Sequence, residues 1–476
     1  MLLLSFALKT AGQIFYLITA VLLFALGGVV CVFKKQWGLL LSLIILGTFC
    51  VRILFVLTVE VENSHRNCGE PETITAVVMQ NADYFDDTDS FGRCNVVVKD
   101  SRRGTVKKGS VISFKGDGVS GLAVGDKISA DILLSDFKNE ETALSYYSEN
   151  IFTVGEVTEN LAVIGRSKGI YALAGKVNGY IKNCLENNTE NGGVLLALMT
   201  GDRTILSDDL YEKVKVAGVS HVLVVSGMHL SILCGFLFKL LNFIKCNDFL
   251  KDTILLLFLF IMMCVCGFSM SMLRAGIVYV VIMVYRRLLR RTNSLLCLAD
   301  AVIIVLFIHP FAVHSVVFGL SFASTFGILV LSEKIGFYLT ATKKLNVLTQ
   351  EIVSACSVSL SAYIATIPIV VYNFGYISTY AILVNVLISF VSTAMLVLSV
   401  LGVAFGFIPF IRTVLLFIAD KSADYFIFIV ELANKMPVSV IPFRNSRLLA
   451  VLIVILISLF WIIKNKQLIK IIKGRK

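Results

Sequence analysis

His221 and His229 stand eight residues apart in SHVLVVSGMHLS, residues 220–231, with Ser226 and Gly227 between them. A serine three residues before a histidine is, on a helix, close enough for a hydroxyl–imidazole contact, the starting point of nucleophilic catalysis. Against that chemistry, VVSGM is not the GxSxG elbow, and no acidic residue stands nearby to orient the imidazole. Metal binding fares no better. Eight residues is two helical turns and roughly 80° around the axis, not the i, i+4 pair of a helical zinc site, and the chain has no HExxH. No catalytic residue, metal or cofactor is assigned. The histidines either hydrogen-bond to neighbouring helices as structural groups or line a polar path. Gly227 weakens a helix, and non-helical backbone at membrane depth is tolerated only where protein or water satisfies it. A break at Ser226–Gly227 would therefore line a cavity.

Other ionisable residues fall in apolar surroundings, where each costs roughly 2.5 to 3.5 kcal/mol on insertion scales and so faces a polar interior or pathway. Arg274 follows CGFSMSM and is either an anchor just outside a span or a positive charge in the cavity. Asp300 needs a partner such as Arg274. His309 and His314, in HPFAVH, are five residues apart across a proline, a poor metal spacing, and read as surface histidines of an outer loop.

The elements that must position these residues emerge from composition. At 476 residues, 57% hydrophobic and 16% charged, the chain is too apolar for a soluble protein. The net charge of +11 resembles a nucleic-acid footprint, but the basic residues cluster at the ends of apolar segments, the ordinary positive-inside pattern. A spanning helix needs about 20 apolar residues. Ile14 to Phe33 and Trp37 to Thr58 come first and read as anchors, with no cleavage site after the first. After Gly218 come about Val219–Ile244, Thr253–Ser269, Ser271–Tyr285, Leu295–His309, Val316–Leu331, Ile352–Tyr372, Tyr380–Phe407, Val414–Leu432 and Leu448–Ile463.

Residues 60–165 differ: short alternating runs such as TITAVVMQ and KISADILL, separated by glycine and aspartate turns, predict about five strands in a small OB-type barrel, with a sandwich as the other solution. This segment is acidic, with about 18 Asp and Glu against about 10 Lys and Arg. Its two cysteines, Cys68 and Cys94, are either disulfide partners in an oxidising compartment or unpaired thiols. In residues 166–218, a linker precedes an amphipathic helix that Ser207 caps and whose ends Asp208, Asp209, Lys213 and Lys215 suit. It lies on the membrane surface or on the bundle.

The expected fold is a polytopic α-helical membrane protein of about eleven spans with an extracytoplasmic OB-like β domain. Its domains are two spans in 1–59, the β domain in 60–165, the linker and amphipathic helix in 166–218, a transmembrane channel domain in 219–464 and a basic tail in 465–476. The clusters YRRLLRRT, Lys343–Lys344, Lys34–Lys35 and the tail, all cytoplasmic, put the N-terminus out and the C-terminus in. Val414–Leu432, with its ADKSADY, is the ambiguous span; lying at the interface instead, it would reverse the orientation of the chain beyond it.

Ordered motifs in this frame resemble the ComEC family of DNA-uptake channel proteins. GDRTILSDDLYEKVKVAGVSHVLVVSGMHLSIL looks like the family's most distinctive block, opening on the turn Gly201, Asp202, Arg203. SMSMLRAGI resembles its LRA element. ADAVIIVLFIHPFAVHSVVFGLSFASTFGILVL resembles the next block, with His309–Pro310 where the family usually has Asp-Pro. The late block is similar to SLSAYIATIPIVVYNFGYISTYAILVNVLISFV, with Pro368, Phe374, Gly375 and Asn385 in register. The family's C-terminal metallo-β-lactamase-like domain has no counterpart before Lys476, and no HxHxDH is present.

The resemblance implies a membrane channel for single-stranded DNA in natural transformation, at the bacterial cytoplasmic membrane and in contact with its lipids. It implies no enzyme activity. His221, Ser226, Gly227, His229, Arg274, Asp300 and Asn385 would line the path. Arg102, Arg103, Lys107 and Lys108 would guide DNA on the β domain, although its acidity argues equally for a structural role. Tyr372, Phe374 and Tyr376 are stacking candidates or ordinary interfacial anchors. No P-loop is present. The expected partners are therefore a DNA receptor outside, a helicase and single-strand-binding proteins inside, and a separate nuclease. A small-molecule or lipid transporter and an intramembrane serine hydrolase are the competing readings.

Overall fold

A computed structural model describes residues 47–53, 55–57, 61, 68–79, 83–84, 91–266, 270–288, 294–340 and 346–443. The first expected span, the last one at 448–463 and the basic tail lie outside the described residues; of the second, 47–53 and part of 55–57 are helical. The chain divides into two compact units, residues 1–177 with 299–315, and residues 178–298 with 316–476.

The first unit holds the β domain. Its strands are β1 (Pro71–Val78), β2 (Asp83–Tyr84), β3 (Phe91–Ser101), β4 (Val111–Asp117), β5 (Asp126–Ser135) and β6 (Ile151–Arg166). Alternation sends Ile74, Ala76 and Val78, then Cys94, Val96 and Val98, then Ile112 and Phe114, then Ile128, Ala130, Ile132 and Leu134 into one core. Neighbours run β1-β5-β6-β4-β3-β2, and β3 also pairs with β1, so the pairings return to their starting strand. Among the described residues, only β4 and β6 pair in parallel. At the edge of this core Glu72 is buried, accepting the Arg103 backbone N–H at 2.8 Å and the Thr105 hydroxyl. Burial pushes its carboxyl up, but the hydrogen bonds and the positive Arg103 outweigh that and hold it below the ordinary carboxylate value.

The disulfide alternative is corrected here. Neither Cys68 nor Cys94 forms a disulfide. Cys94 points into the core of the β domain, while Cys68 lies half-buried ahead of β1, its thiol directed at the Leu134 carbonyl 3.9 Å away.

A helix the alternating pattern did not announce, α1 (Glu140–Ser148), sits between β5 and β6, its start capped by Asn139. Its Ala143 and Tyr147 join Val56, Val61 and Phe311 in a second apolar cluster. Phe311 belongs to the short 3₁₀ turn Pro310–His314. The β domain is thereby packed onto the HPFAVH turn. His314 is exposed, as a surface histidine should be, but His309 is half-buried with its Nδ1 inside protein, because Pro310, Phe311 and Ala312 draw the turn into the cluster.

The later helices are α2 (Ile170–Glu186), α3 (Gly192–Thr200), α4 (Asp208–Val216), α5 (Gly227–Phe243), α6 (Asp248–Val265), α7 (Met270–Leu288), α8 (Ser294–Ile308), α9 (Val316–Thr340), α10 (Val347–Phe374), α11 (Ala381–Ala404) and α12 (Pro409–Lys435). Stretches of α9, α10 and α11, Val316–Leu339, Thr349–Phe374 and Ala381–Ala404, are long and apolar enough to cross a membrane; Gly227–Phe243 and Ser294–Ile308 are apolar but shorter. α9 and α10 approach so closely that a Cβ on Gly327 would lie 2.5 Å from the Ala365 Cβ.

The linker expected before the amphipathic helix is not merely a linker: α3 is buried along its whole length. Its Asn191 end is held by α12, where Asp420 accepts the Asn191 backbone N–H at 2.8 Å. α4 starts as expected, with Ser207 accepting from the Leu210 N–H, and it lies on the bundle, where the Lys213 carbonyl accepts from Asn434 of α12 at 2.8 Å. Beyond α10, β7 (Tyr376–Ser378) pairs antiparallel with β8 (Val440–Pro442), past the end of α12. Side chains reinforce the pairing: the Thr379 hydroxyl donates to the Val438 carbonyl at 2.7 Å and the Tyr380 hydroxyl to the Pro437 carbonyl at 2.9 Å.

Candidate functional site

The polar residues inside the helical unit gather around the start of α5. Residues 219–226 do not continue that helix backwards. Val219 comes after Gly218, whose φ of 76° ends the α4 segment in the left-handed region, and Ser220–Val222 make one 3₁₀ turn. Ser226 is extended, with φ −128° and ψ 168°, and α5 begins at Gly227. The expected break is therefore at Ser226–Gly227, but the expectation of one helix carrying both histidines is corrected: His221 lies on the turn and His229 in the first turn of α5. Gly227 keeps this corner tight, because a Cβ there would already touch the Ala275 Cβ of α7 at 3.4 Å.

His229 occupies the helix position where glutamate or glutamine usually closes a capping box. Its Nδ1 accepts the Ser226 backbone N–H at 3.1 Å and stands 2.9 Å from the Ser226 hydroxyl. An imidazole that accepts at Nδ1 carries its proton on Nε2 when neutral. Nε2 is buried and makes no hydrogen bond among the described residues, although the Val222 carbonyl lies close to the ring. The side chain as a whole is 2% exposed.

His221 contrasts with it. Its surface is exposed, yet protein surrounds it closely at longer range, so it lies in a recess rather than on a convex face. The two imidazoles are near enough for their charges to oppose each other. The Asn385 side chain of α11 lies beside His221, and its amide donates to the Ser359 hydroxyl of α10 at 2.8 Å. Ser359 is a member of this group that sequence reasoning missed. Its only signal was its place in SLSAY, a stretch with nothing to separate one serine from the next.

Arg274 is 4% exposed on α7, donates to the Ser271 hydroxyl at 3.2 Å, and its guanidinium lies 5.9 Å from the Phe318 ring of α9. Asp300 is half-buried on α8 and belongs to the unit of the β domain, whereas Arg274 belongs to the helical one. At the far end of α7, Arg286 and Arg287 hold the buried Asp252 of α6.

The GDR turn sits beside this site. Gly201, φ 81°, ends α3, and a Cβ there would meet Val225 at 3.3 Å. Asp202 accepts the Thr204 N–H at 2.9 Å, and Arg203 is exposed over the Tyr211 ring of α4 at 4.7 Å. Tyr372 and Phe374 are exposed near the end of α10, and the Phe374 ring lies 6.3 Å from that of Tyr376. On the β domain, Arg102, Arg103, Lys107 and Lys108 are exposed in the loop between β3 and β4, where Arg103 is shared with Glu70 at 3.3 Å.

No group of three or more His, Cys, Asp or Glu side chains among the described residues is arranged to hold a metal. The arrangement offers instead a set of hydrogen-bond donors and acceptors, His221, Asn385, Ser359, Ser226 and His229, inside helices whose remaining faces are apolar.

Comparison with known proteins bears on the same stretch. The family model described as Competence protein matches residues 198–467. ComE operon protein 3 of Bacillus subtilis (strain 168) is 27% identical over 198 residues, which cover 42% of this chain and 24% of that protein. The match thus spans about a quarter of the relative's length. No solved structure matches the chain.

Proposed function

The chain belongs to the ComEC family of competence proteins, and from that premise we propose that it takes up DNA, carrying a single strand across the cytoplasmic membrane during natural transformation. One observation carries the reading: the break at Ser226–Gly227 places His221, His229 and Asn385 together inside an apolar bundle, one imidazole accessible and the other buried. Phosphates crossing lipid need water and donors at that depth, and polar groups held there are otherwise costly. Arg274 adds a positive charge to the same unit.

In this reading the chain crosses the membrane about eleven times, N-terminus out and C-terminus in. The ring of strand pairings is a five-stranded barrel of OB type, lying outside. The contact of α1 with the HPFAVH turn supports that arrangement, because it requires the β domain and the α8–α9 turn to share one side of the membrane. Arg102, Arg103, Lys107 and Lys108 would meet DNA first, handed over by a receptor. A helicase would draw the strand inward, single-strand-binding proteins would trap it, and a separate nuclease would remove its complement. The chain itself acts as a channel and not as an enzyme.

The 2.9 Å approach of Ser226 Oγ to His229 Nδ1 favours one rival, a serine hydrolase. Against it, that nitrogen already accepts a backbone N–H, the geometry of a helix cap. A small-molecule or lipid transporter would use the same polar groups.

The test is passage of labelled DNA into a nuclease-protected intracellular pool in wild type, a deletion, and the deletion complemented with wild type or with equally expressed His229→Ala. Loss on deletion with recovery by wild type alone supports the channel. Undiminished protected uptake in the deletion, in a competent host without a second copy, moves the assignment to a transporter.

A further inference from the structure

Strand β6 is longer than its neighbours. It pairs with β5 along Val154–Arg166, but with β4 only along Ile151–Glu156. β4 stops at Asp117 and the chain turns away through Gly118, φ 76°, into the 3₁₀ turn Val119–Gly121. From Thr158 to Gly165, a stretch that passes through the left-handed region at Asn160 (φ 57°) with a register shift against β5, the backbone of β6 has no partner on the other side among the described residues. An open groove of about 540 Å³ runs along this edge, lined by Asp117, Gly121, Leu122, Glu159, Leu161 and Val163.

Three features decide what the groove fits. A row of unpaired N–H and C=O groups is satisfied by another extended backbone and by little else. Val163 and Ile164 are 54% and 53% exposed, β-branched side chains of the kind that pack against a neighbouring strand. The charged side chains of the lining, Asp117 and Glu159, are both acidic. The basic loop carrying Arg102, Arg103, Lys107 and Lys108 leads into the other end of β4, about 20 Å away at the rise of a strand. The charged side chains lining the groove are thus acidic, where those of the β3–β4 loop are basic.

We propose that the open edge of β6 receives an extended, lysine- or arginine-bearing segment of another protein as an added strand. The occupant's main chain would pair with residues 158–165, its apolar side chains would lie against Leu161 and Val163, and its basic ones against Glu159 and Asp117.

The test uses the full chain in lipid nanodiscs and a fluorescent peptide of about nine alternating lysines and valines. Its controls are the glutamate–valine counterpart and two copies of the basic peptide, N-methylated on one or the other alternate set of amides. The proposal expects the basic peptide to bind and to slow hydrogen exchange in 157–164. Binding should weaken at least tenfold in the exposed-site variant Glu159→Lys and at least tenfold with one of the two methylated sets. Equal binding of the acidic peptide, indifference to both methylations, or no binding overturns it. So does slow exchange, before any peptide is added, of those amides in 157–164 that point away from β5, which would mean that another part of this chain already covers the edge.

Discussion

Tyr147 of α1 and Phe311 of the α8–α9 turn meet with ring centroids 5.5 Å apart, and Phe152 completes the group 6.5 Å from Phe311. This contact ties a domain built from strands to a turn between two apolar helices. If it persists in the membrane, a cysteine at the exposed His314 and one at the exposed Lys107 will both react with an impermeant maleimide added to intact cells. Labelling of one without the other would separate the β domain from that turn. Phe311→Ala should cost about 3 to 5 kcal/mol locally, as large-to-small changes in a packed cluster do, and be seen as faster hydrogen exchange in Glu140–Ser148.

The cap at the start of α5 separates the channel from the hydrolase. Gln is a natural capping-box residue at the position of His229, so His229→Gln should preserve the helix start, while His229→Ala should lose about 1 kcal/mol of it. A channel that needs the cap and a polar side chain keeps most DNA uptake with Gln. A hydrolase that needs an imidazole loses all activity with either change, and Ser226→Ala would abolish its reaction with a serine-directed probe.

Gly218 joins two demands at one residue. Its φ is positive, and a Cβ would come within 2.6 Å of the Ala381 Cβ and 2.8 Å of the Ser378 Cβ. Gly218→Ala is therefore expected to destabilise by about 2 to 4 kcal/mol, from the left-handed backbone and overpacking together. Thermal aggregation of the detergent-solubilised chain would register it. Gly179→Ala, in the interior of α2 where a Cβ meets nothing nearby, is the control and should hold the midpoint or raise it slightly, since glycine inside a helix costs about 0.5 to 1 kcal/mol relative to alanine.

Glu72 makes the edge of the β domain acid-sensitive. Its folded carboxyl is held below the ordinary value, so the stabilisation it gives is fully present above the unfolded pKa of about 4.3 and fades as pH falls through the lower folded value. Hydrogen exchange of β1 and of the Arg102–Ser110 loop should accelerate together below about pH 4. Glu72→Gln should flatten that dependence and cost about 1 to 3 kcal/mol at neutral pH, the range of hydrogen bonds to a charged acceptor.

Much of this architecture was legible because local signals carried it. The alternation in TITAVVMQ and KISADILL gives β1 and β5, and Ser207 with its flanking charges gives both ends of α4. The Ser226–Gly227 step marks the start of α5. Illegible features depend on distant partners. α1 reads as a polar turn until Tyr147 finds Phe311, 164 positions later in the chain. α3 reads as linker until Asp420 accepts Asn191 from across 229 residues. Ser359 resembles its neighbouring serines until the Asn385 amide selects it. Cys68 and Cys94 look like a pair because nothing in their spacing says that the Cys94 side chain faces into the core of the β domain.

The pairing of β7 with β8 has a mechanical meaning. It closes the chain from Thr379 to Ser439 into a loop pinned at its base, with α11 and α12 as its two arms. Neither arm can slide along the other without tearing backbone hydrogen bonds at that base. Asn385 lies on one arm, one turn above the pinned end, while Ser359 stays on α10. Opening the bundle between α10 and α11 there would break their side-chain hydrogen bond together with the one that the Tyr363 hydroxyl of α10 donates to the Ser378 carbonyl of β7.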